Sequence, residues 1–159
     1  MIHMMIGIQG SGKTTYSLEL SKIINAEIVS TDGVRMANPG ISEDLVWPYV
    51  YKKVAECVEK GVEVIFDATS ITPKVRKRFI DNVESHGVKC VIGAYFFDVD
   101  KHICAARVEK RNNDQTQINI PIDVIYSYSD RLIAPTLDEG FKFIKIIRDG
   151  KVSEVIGNE

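Results

Sequence analysis

The stretch Gly7-Ile8-Gln9-Gly10-Ser11-Gly12-Lys13-Thr14 decides the fold. It satisfies G-x-x-x-x-G-K-[ST], the pattern of a phosphate-cradling loop. Its flanks suit that role. Met4-Met5-Ile6 ahead of it is apolar and reads as the end of a buried strand. Behind it, residues 14–25 carry Leu18, Leu20, Ile23 and Ile24 at helical spacing. A strand, a glycine-rich turn and a helix are the three parts the motif requires. Glycines at 7, 10 and 12 let the backbone turn tightly and approach an anion. Free amides and the helix N-terminus then face the phosphates. Lys13 adds a charge at the β/γ-phosphates, and the Thr14 hydroxyl can reach Mg²⁺. A glycine-rich turn that opens a helix by chance would not need both flanks. The loop reads as a site for a nucleoside triphosphate, with ATP and Mg²⁺ as the expected cofactors.

Outward from this loop, strands and helices alternate. Strands are expected at residues 2–8, 27–30, 62–66, 89–97 and 141–147, and helices at 13–25, 46–60, 101–111 and 122–133. Another helix opens at Pro73 and ends before Gly87, and residues 33–42 read as a loop. Pro48 is expected in the first turn of its helix, where a missing N–H costs little. Asp149-Gly150 is a two-residue hairpin signal into residues 152–156. Continuous apolar strands between helices mean a parallel sheet covered on both faces. The expectation is one α/β domain over residues 1–159. It has a mainly parallel sheet of five strands, helices on both faces, a helical lid and a C-terminal hairpin. Ligands bind such sheets at the carboxyl ends of the strands.

Composition narrows the class. The 159 residues suit one domain with a substantial core, and 45% hydrophobic against 26% charged residues is ordinary for a globular protein. Twenty Lys and Arg face 22 Asp and Glu, which argues against a protein that coats long nucleic acid. It leaves open one that grips a strand end. The longest apolar run, residues 90–97, is too short to span a bilayer, and no basic region precedes the apolar N-terminus. A cytoplasmic protein with no membrane partner is expected. Cys57, Cys90 and Cys104 are odd in number and lack metal spacing, which fits free buried thiols.

Polar residues at three strand ends carry the chemistry. Asp67 closes the apolar run Val62-Glu63-Val64-Ile65-Phe66, the pattern in which an Asp holds Mg²⁺, directly or through water. A role in ordering the substrate site is the other reading. Asp32 closes the second strand, where a carboxylate could take the proton of an attacking hydroxyl. Arg35 could pair with a substrate phosphate bidentately. An Asp at a helix N-cap with a surface Arg explains the same spacing equally well. Arg107 and Arg111, four apart, share a helix face ahead of the polar stretch 112–119, which has the look of a lid. Lid arginines neutralise charge on a transferring phosphoryl group, whereas the bland alternative is a solvated helix face. Trp47, Tyr49 and Tyr51 could stack a base near the acceptor or simply pack their helix.

The chain resembles the polynucleotide 5′-hydroxyl kinases, within the larger group of small P-loop kinases that includes zeta toxins. The resemblance covers nearly all of it. Residues 7–15 look like that family's loop, and Ser30-Thr31-Asp32-Gly33-Val34-Arg35 like its segment with a general-base Asp and a phosphate-binding Arg. Phe66-Asp67-Ala68-Thr69-Ser70, with Thr72-Pro73 and Arg76, is similar to its D-A-T-N stretch. Arg107 to Arg111 matches paired lid arginines, and Pro121-Ile122-Asp123-Val124 and Glu139-Gly140-Phe141 match later segments. Ser70 stands where Asn is usual, Gly33 replaces a second acidic residue, and the lid is longer. These departures bear on the acceptor rather than on the nucleotide.

The resemblance implies a division of labour. Gly10, Ser11, Gly12, Lys13, Thr14, Thr15, Arg107 and Arg111 would bind nucleotide. Lys13, Asp32 and Arg111 would be catalytic, and Arg35, Asp67 and Thr69 would hold the acceptor. The expected reaction is ATP-dependent, Mg²⁺-requiring transfer of the γ-phosphate to a hydroxyl, with the 5′-OH of DNA or RNA as leading acceptor. A small alcohol such as a nucleoside, sugar or antibiotic is the alternative. A nucleotide-dependent switch is the reading from another class, but no Asn-Lys-x-Asp guanine signature occurs.

Overall fold

The computed structural model describes residues 1–114 and 119–159. Strand β1 (Ile2–Ile6) runs through the phosphate loop into α1 (Lys13–Ile24), and β2 (Glu27–Val29) follows. Two helices, α2 (Thr31–Ala37) and α3 (Glu43–Glu59), cross to β3 (Val64–Phe66). Helix α4 (Pro73–Glu84) crosses to β4 (Ile92–Phe97). Helices α5 (Lys101–Asn112) and α6 (Ile122–Arg131) and a 3₁₀ turn at Leu137–Glu139 lead to β5 (Phe143–Arg148) and β6 (Lys151–Gly157).

The strands form one sheet in the order β2-β3-β1-β4-β5-β6. The first five are parallel, and β6 adds antiparallel to β5. The expected hairpin is thus the sixth strand of the same sheet. Its turn places Asp149 at φ 51° and Gly150 at φ 71°, the paired left-handed geometry that suits a two-residue hairpin.

Successive side chains in a strand point to opposite faces, so each face gathers its own core. Ile2, Met4 and Ile6 of β1 pack with Val46, Val50 and Val54 of α3 and Phe79 and Val83 of α4. On the other face Met5, Ile65, Tyr95, Phe97, Phe143 and Ile147 lie under Tyr16 and Leu20 of α1. A third cluster joins Ile8 and Ile71 to Cys104 and Val108 of α5 and Ile125 of α6. Strand β1 is buried throughout because it has neighbours on both edges and helices over both faces. Five parallel strands bring the turns after β1, β2, β3 and β4 to one edge of the sheet, and every candidate site residue sits on or next to that edge.

Three local expectations need correction. Residues 33–42 are not all loop, because α2 already runs from Thr31 to Ala37. Its start is fixed by Ser30, whose Oγ accepts from the Gly33 amide at 2.9 Å. Asp32 therefore lies in the first turn, and the N-cap is Ser30. Helix α3 begins earlier than expected, with Glu43 and Asp44 in its first turn, where they complement the helix dipole. Pro48 consequently falls in the helix interior instead of the first turn. Strands β3 and β4 start later than their apolar runs, at Val64 and Ile92. Among the cysteines, which are all free, Cys57 and Cys104 are buried and Cys90 is half-buried.

Candidate nucleotide and phosphoryl-transfer site

The phosphate loop is shaped by a close approach to α5. Gly10 has φ 79°, and a Cβ there would come within 2.5 Å of the Cys104 carbonyl and 2.9 Å of Val108. Only glycine satisfies both the left-handed backbone and that contact. The same helix grips the loop through Arg107, whose Nη1 donates to the Gly10 carbonyl at 3.1 Å. The loop is tied from the other side by the Gly7 amide, which donates to the Thr69 carbonyl at 3.0 Å. Thr69 thus touches the loop through its main chain.

Lys13 is buried, and its Nζ donates to the Ile8 carbonyl at 2.8 Å, curling back over the loop. Burial pushes its pKa down to about 8, against the attraction of Asp67, while the charge of Arg111 adds to the push. Arg111 is therefore within electrostatic reach of Lys13. The buried Ser11 hydroxyl has no hydrogen-bond partner among the described residues. An anion held by the loop would supply one. Thr15 is exposed in the first turn of α1.

Thr14 and Asp67 meet across the sheet edge, the Thr14 Oγ1 donating to Asp67 Oδ2 at 2.9 Å. Two cis oxygen ligands of Mg²⁺, each about 2.0–2.1 Å from the ion, lie about 2.9 Å apart. The pair is hard, oxygen-only and partly open to solvent, so it fits Mg²⁺ with the other ligands drawn from phosphates and water. Among the described residues no cluster of three or more His, Cys, Asp or Glu forms a metal site of its own.

A second polar group lies on α2 and the start of α3. Arg35 Nη1 donates to Asp32 Oδ1 at 2.9 Å, and its Nε and Nη2 take both oxygens of Glu43 at 2.8 and 3.0 Å. The hydrogen bonds from Arg35 hold the Glu43 carboxyl below its ordinary pKa, and the same bonds raise that of the guanidinium. Arg35, read from the sequence as able to pair with a substrate phosphate, is held here between two carboxylates. Glu43 was not legible as a site residue, since it lies eight residues on and past a glycine-containing turn.

Arg76 is a support rather than a ligand. It is buried, and its Nε and Nη2 hold both oxygens of Glu139 at 2.7 and 3.0 Å. Its remaining donors reach the Ser70 carbonyl at 2.7 Å and the Ile133 carbonyl at 3.1 Å. Ser70 has φ 47°, so the segment after Asp67 turns sharply, and Arg76 clasps it. The Thr136-x-x-Glu139 capping box, a readable signal, fixes the partner carboxylate.

The expected lid over residues 112–119 falls largely on residues 115–118, which lie outside the described residues. On either side of them, Asn112 donates from Nδ2 to the Ile120 carbonyl at 2.7 Å and accepts from the Ile120 amide at 2.9 Å. Among the described residues no helix is long and apolar enough to cross a membrane.

The fold is similar to that of Kti12 from Chaetomium thermophilum, solved with ADP-AlF3, at a TM-score of 0.67 and 12% identity over 92% of this chain and 88% of that one. It is also similar to a sugar kinase from Janibacter sp. HTCC2649, at a TM-score of 0.63 and 16% identity over 92% and 83%. A gluconokinase from Sinorhizobium meliloti aligns at 0.53 and 13% identity over 84% and 75%. At these identities the likeness is one of fold: an α/β P-loop kinase fold, with nothing that singles out the polynucleotide kinases. A search of curated proteins returns no match. The AAA domain profile matches residues 2–135, and the chain belongs to that family.

Proposed function

We propose that this protein is an ATP-dependent phosphotransferase that moves a γ-phosphate to a hydroxyl. The observation that supports it most is the Thr14–Asp67 contact beside a complete phosphate loop, with Lys13 buried in it. In this reading Thr14 and Asp67 would hold Mg²⁺, which would neutralise charge on the nucleotide's phosphates. Lys13 and the loop amides hold the triphosphate, and Ser11 completes the cradle. Arg107 keeps α5 against the loop, and Arg111 neutralises charge on the group in transfer. Asp32, one strand end beyond Asp67, accepts the proton of the attacking hydroxyl.

The acceptor has two readings. The likeness of residues 30–35 and 66–70 to the polynucleotide 5′-hydroxyl kinases favours a nucleic-acid end. The occupancy of Arg35 by Asp32 and Glu43 favours a small neutral alcohol, because the cation that would greet a phosphate is already neutralised. Incubation with γ-labelled ATP and Mg²⁺ tests both, against 5′-OH oligonucleotides, nucleosides, sugars and polyols. Label should pass to one acceptor class. Tight nucleotide binding with no transfer to any hydroxyl would return the chain to the switch reading.

A further inference from the structure

Trp47 lies in the second turn of α3 and keeps 39% of its surface exposed, although a ring of that size is usually largely buried. Its position follows from topology. Helix α3 returns the chain between two parallel strands, so its N-terminal turns stand at the carboxyl edge of the sheet. The contacts agree. The Trp47 ring meets Phe66 at 6.1 Å between centroids, and Phe66 is the last residue of β3, next to Asp67. Phe66 is itself stacked on Phe79 at 4.0 Å, and Tyr51 braces Trp47 from one turn below at 5.6 Å. The indole is thus braced by two rings and still partly exposed.

Its neighbours define what that face meets. Glu43 and Trp47 are four residues apart, hence on one side of α3. Glu43 holds Arg35, and Arg35 holds Asp32. Trp47 therefore lies one helical turn from Glu43 of the Asp32–Arg35–Glu43 group and against Phe66, the residue before Asp67. Asp32 and Glu43 both pair with Arg35, the single cation on α2 and the first turn of α3, so this group carries a net negative charge. Such a rim repels a phosphate-bearing acceptor and offers carboxylates to hydroxyl donors.

We propose that Trp47 is the acceptor platform, stacking on the flat face of an uncharged ring-bearing alcohol, a nucleoside or cyclic sugar, and so setting acceptor specificity. This deepens the phosphotransferase reading and rests on it. A base π-face or the apolar C–H face of a sugar ring covers the open side of the indole. The ring's hydroxyls then meet Asp32 and Glu43.

Trp47 is the sole tryptophan of the chain, so its fluorescence reports the platform directly. The protein saturated with adenylyl imidodiphosphate and Mg²⁺ would be titrated with uridine, adenosine and methyl β-glucopyranoside. Glycerol, ribitol and a short 5′-OH oligodeoxynucleotide serve as comparisons. Saturable quenching by one of the ring alcohols, and a weaker response to the comparisons, is expected. Steady-state transfer in Trp47→Ala should show the acceptor KM raised roughly 10- to 100-fold, the span of one lost stacking contact, with the ATP KM within about twofold. Trp47→Phe should recover most of the loss and serves if the Ala variant does not fold. Unchanged acceptor KM in both variants, or an oligonucleotide preferred over its nucleoside, overturns the platform while leaving the kinase in place. If no hydroxyl accepts phosphate, the titration still decides: ring-alcohol quenching sustains the platform without the kinase, and a silent indole across the panel removes it.

Discussion

Thr14 and Asp67, 53 positions apart in the chain, are joined by a 2.9 Å hydrogen bond from the threonine hydroxyl to the carboxylate. Strand β3 lies directly beside β1 with Phe66 level with Met4, so Asp67 stands at the strand end from which the phosphate loop leaves. If this pair holds the metal, Asp67→Asn keeps the hydrogen bond but removes the charge. The Mg²⁺ concentration for half-maximal transfer should rise by roughly 10- to 100-fold, the usual loss when a metal's supporting carboxylate is changed. Nucleotide affinity without metal should stay near wild type. A Mg²⁺ titration unchanged in the mutant would assign Asp67 to the acceptor alone.

Lys13 gives a pH dependence with a definite sign. Burial pushes its pKa down to about 8, below an ordinary lysine. A bound triphosphate attracts the charged form and raises that pKa. Binding therefore takes up a proton above pH 8, and affinity is full below pH 8 and falls as pH rises through it. Calorimetry at pH 8.5 in two buffers of different ionisation enthalpy should show net proton uptake, and Lys13→Ala should lose both the uptake and transfer. Affinity that is flat from pH 7 to 9 would remove Lys13 from contact with the phosphates.

Arg111 shares an electrostatic neighbourhood with Lys13, and Arg107 is spent on the Gly10 carbonyl. The two arginines should therefore differ. Arg111→Ala should lower turnover by on the order of 10³-fold with a smaller change in ATP KM. Arg107→Ala should loosen the loop and raise the ATP KM. Equal, small effects from both would mark a solvated helix face.

Arg76 and Glu139 make the chain's most buried ion pair among those described, with the arginine side chain fully covered. Breaking such a pair leaves a charge without a partner. Arg76→Met should cost about 3–5 kcal/mol in urea unfolding. The double variant with Glu139→Gln should recover part of that, because the orphaned carboxylate is gone. A melting curve indistinguishable from wild type would mean water replaces the clasp.

The fold was legible because its signals are local. The phosphate loop needs eight consecutive residues, and the apolar strands of a doubly covered sheet are continuous runs. Thr14, Lys13 and Asp67 could be named because each closes or follows such a run. What was not legible depends on partners far away in the chain. Helix α2 was hidden by Gly33, which weakens helical propensity, while the Ser30 cap and the Asp32–Arg35 pair supply what propensity lacks. The contact of Arg35 with Glu43 depends on α3 coming round to α2, which no local pattern announces. Arg76 and Glu139 were both noticed through resemblance, yet only folding shows that they are one contact.

Asp32 decides between catalysis and architecture. It accepts a hydrogen bond from Arg35, an observation that by itself supports either role. Asp32→Asn separates them, because the amide oxygen can still accept from Arg35 while the group can no longer take a proton. Arg35 would remain anchored by Glu43 in any case, so the acceptor side should keep its shape. Nucleotide affinity should be unchanged, since the loop after β1 carries it. If Asp32 is the base, transfer should fall by roughly 10²–10⁴-fold, the usual span for a positioned base. The loss should lie in kcat rather than in the acceptor KM. If Asp32 only orients Arg35, the Asn variant should run near wild-type speed, and Arg35→Ala should then be the more damaging change. The measurement is steady-state transfer by both variants to the best acceptor, with nucleotide affinity beside it. Near-normal turnover in Asp32→Asn would leave the proton to water and reduce Asp32 to a strut for Arg35.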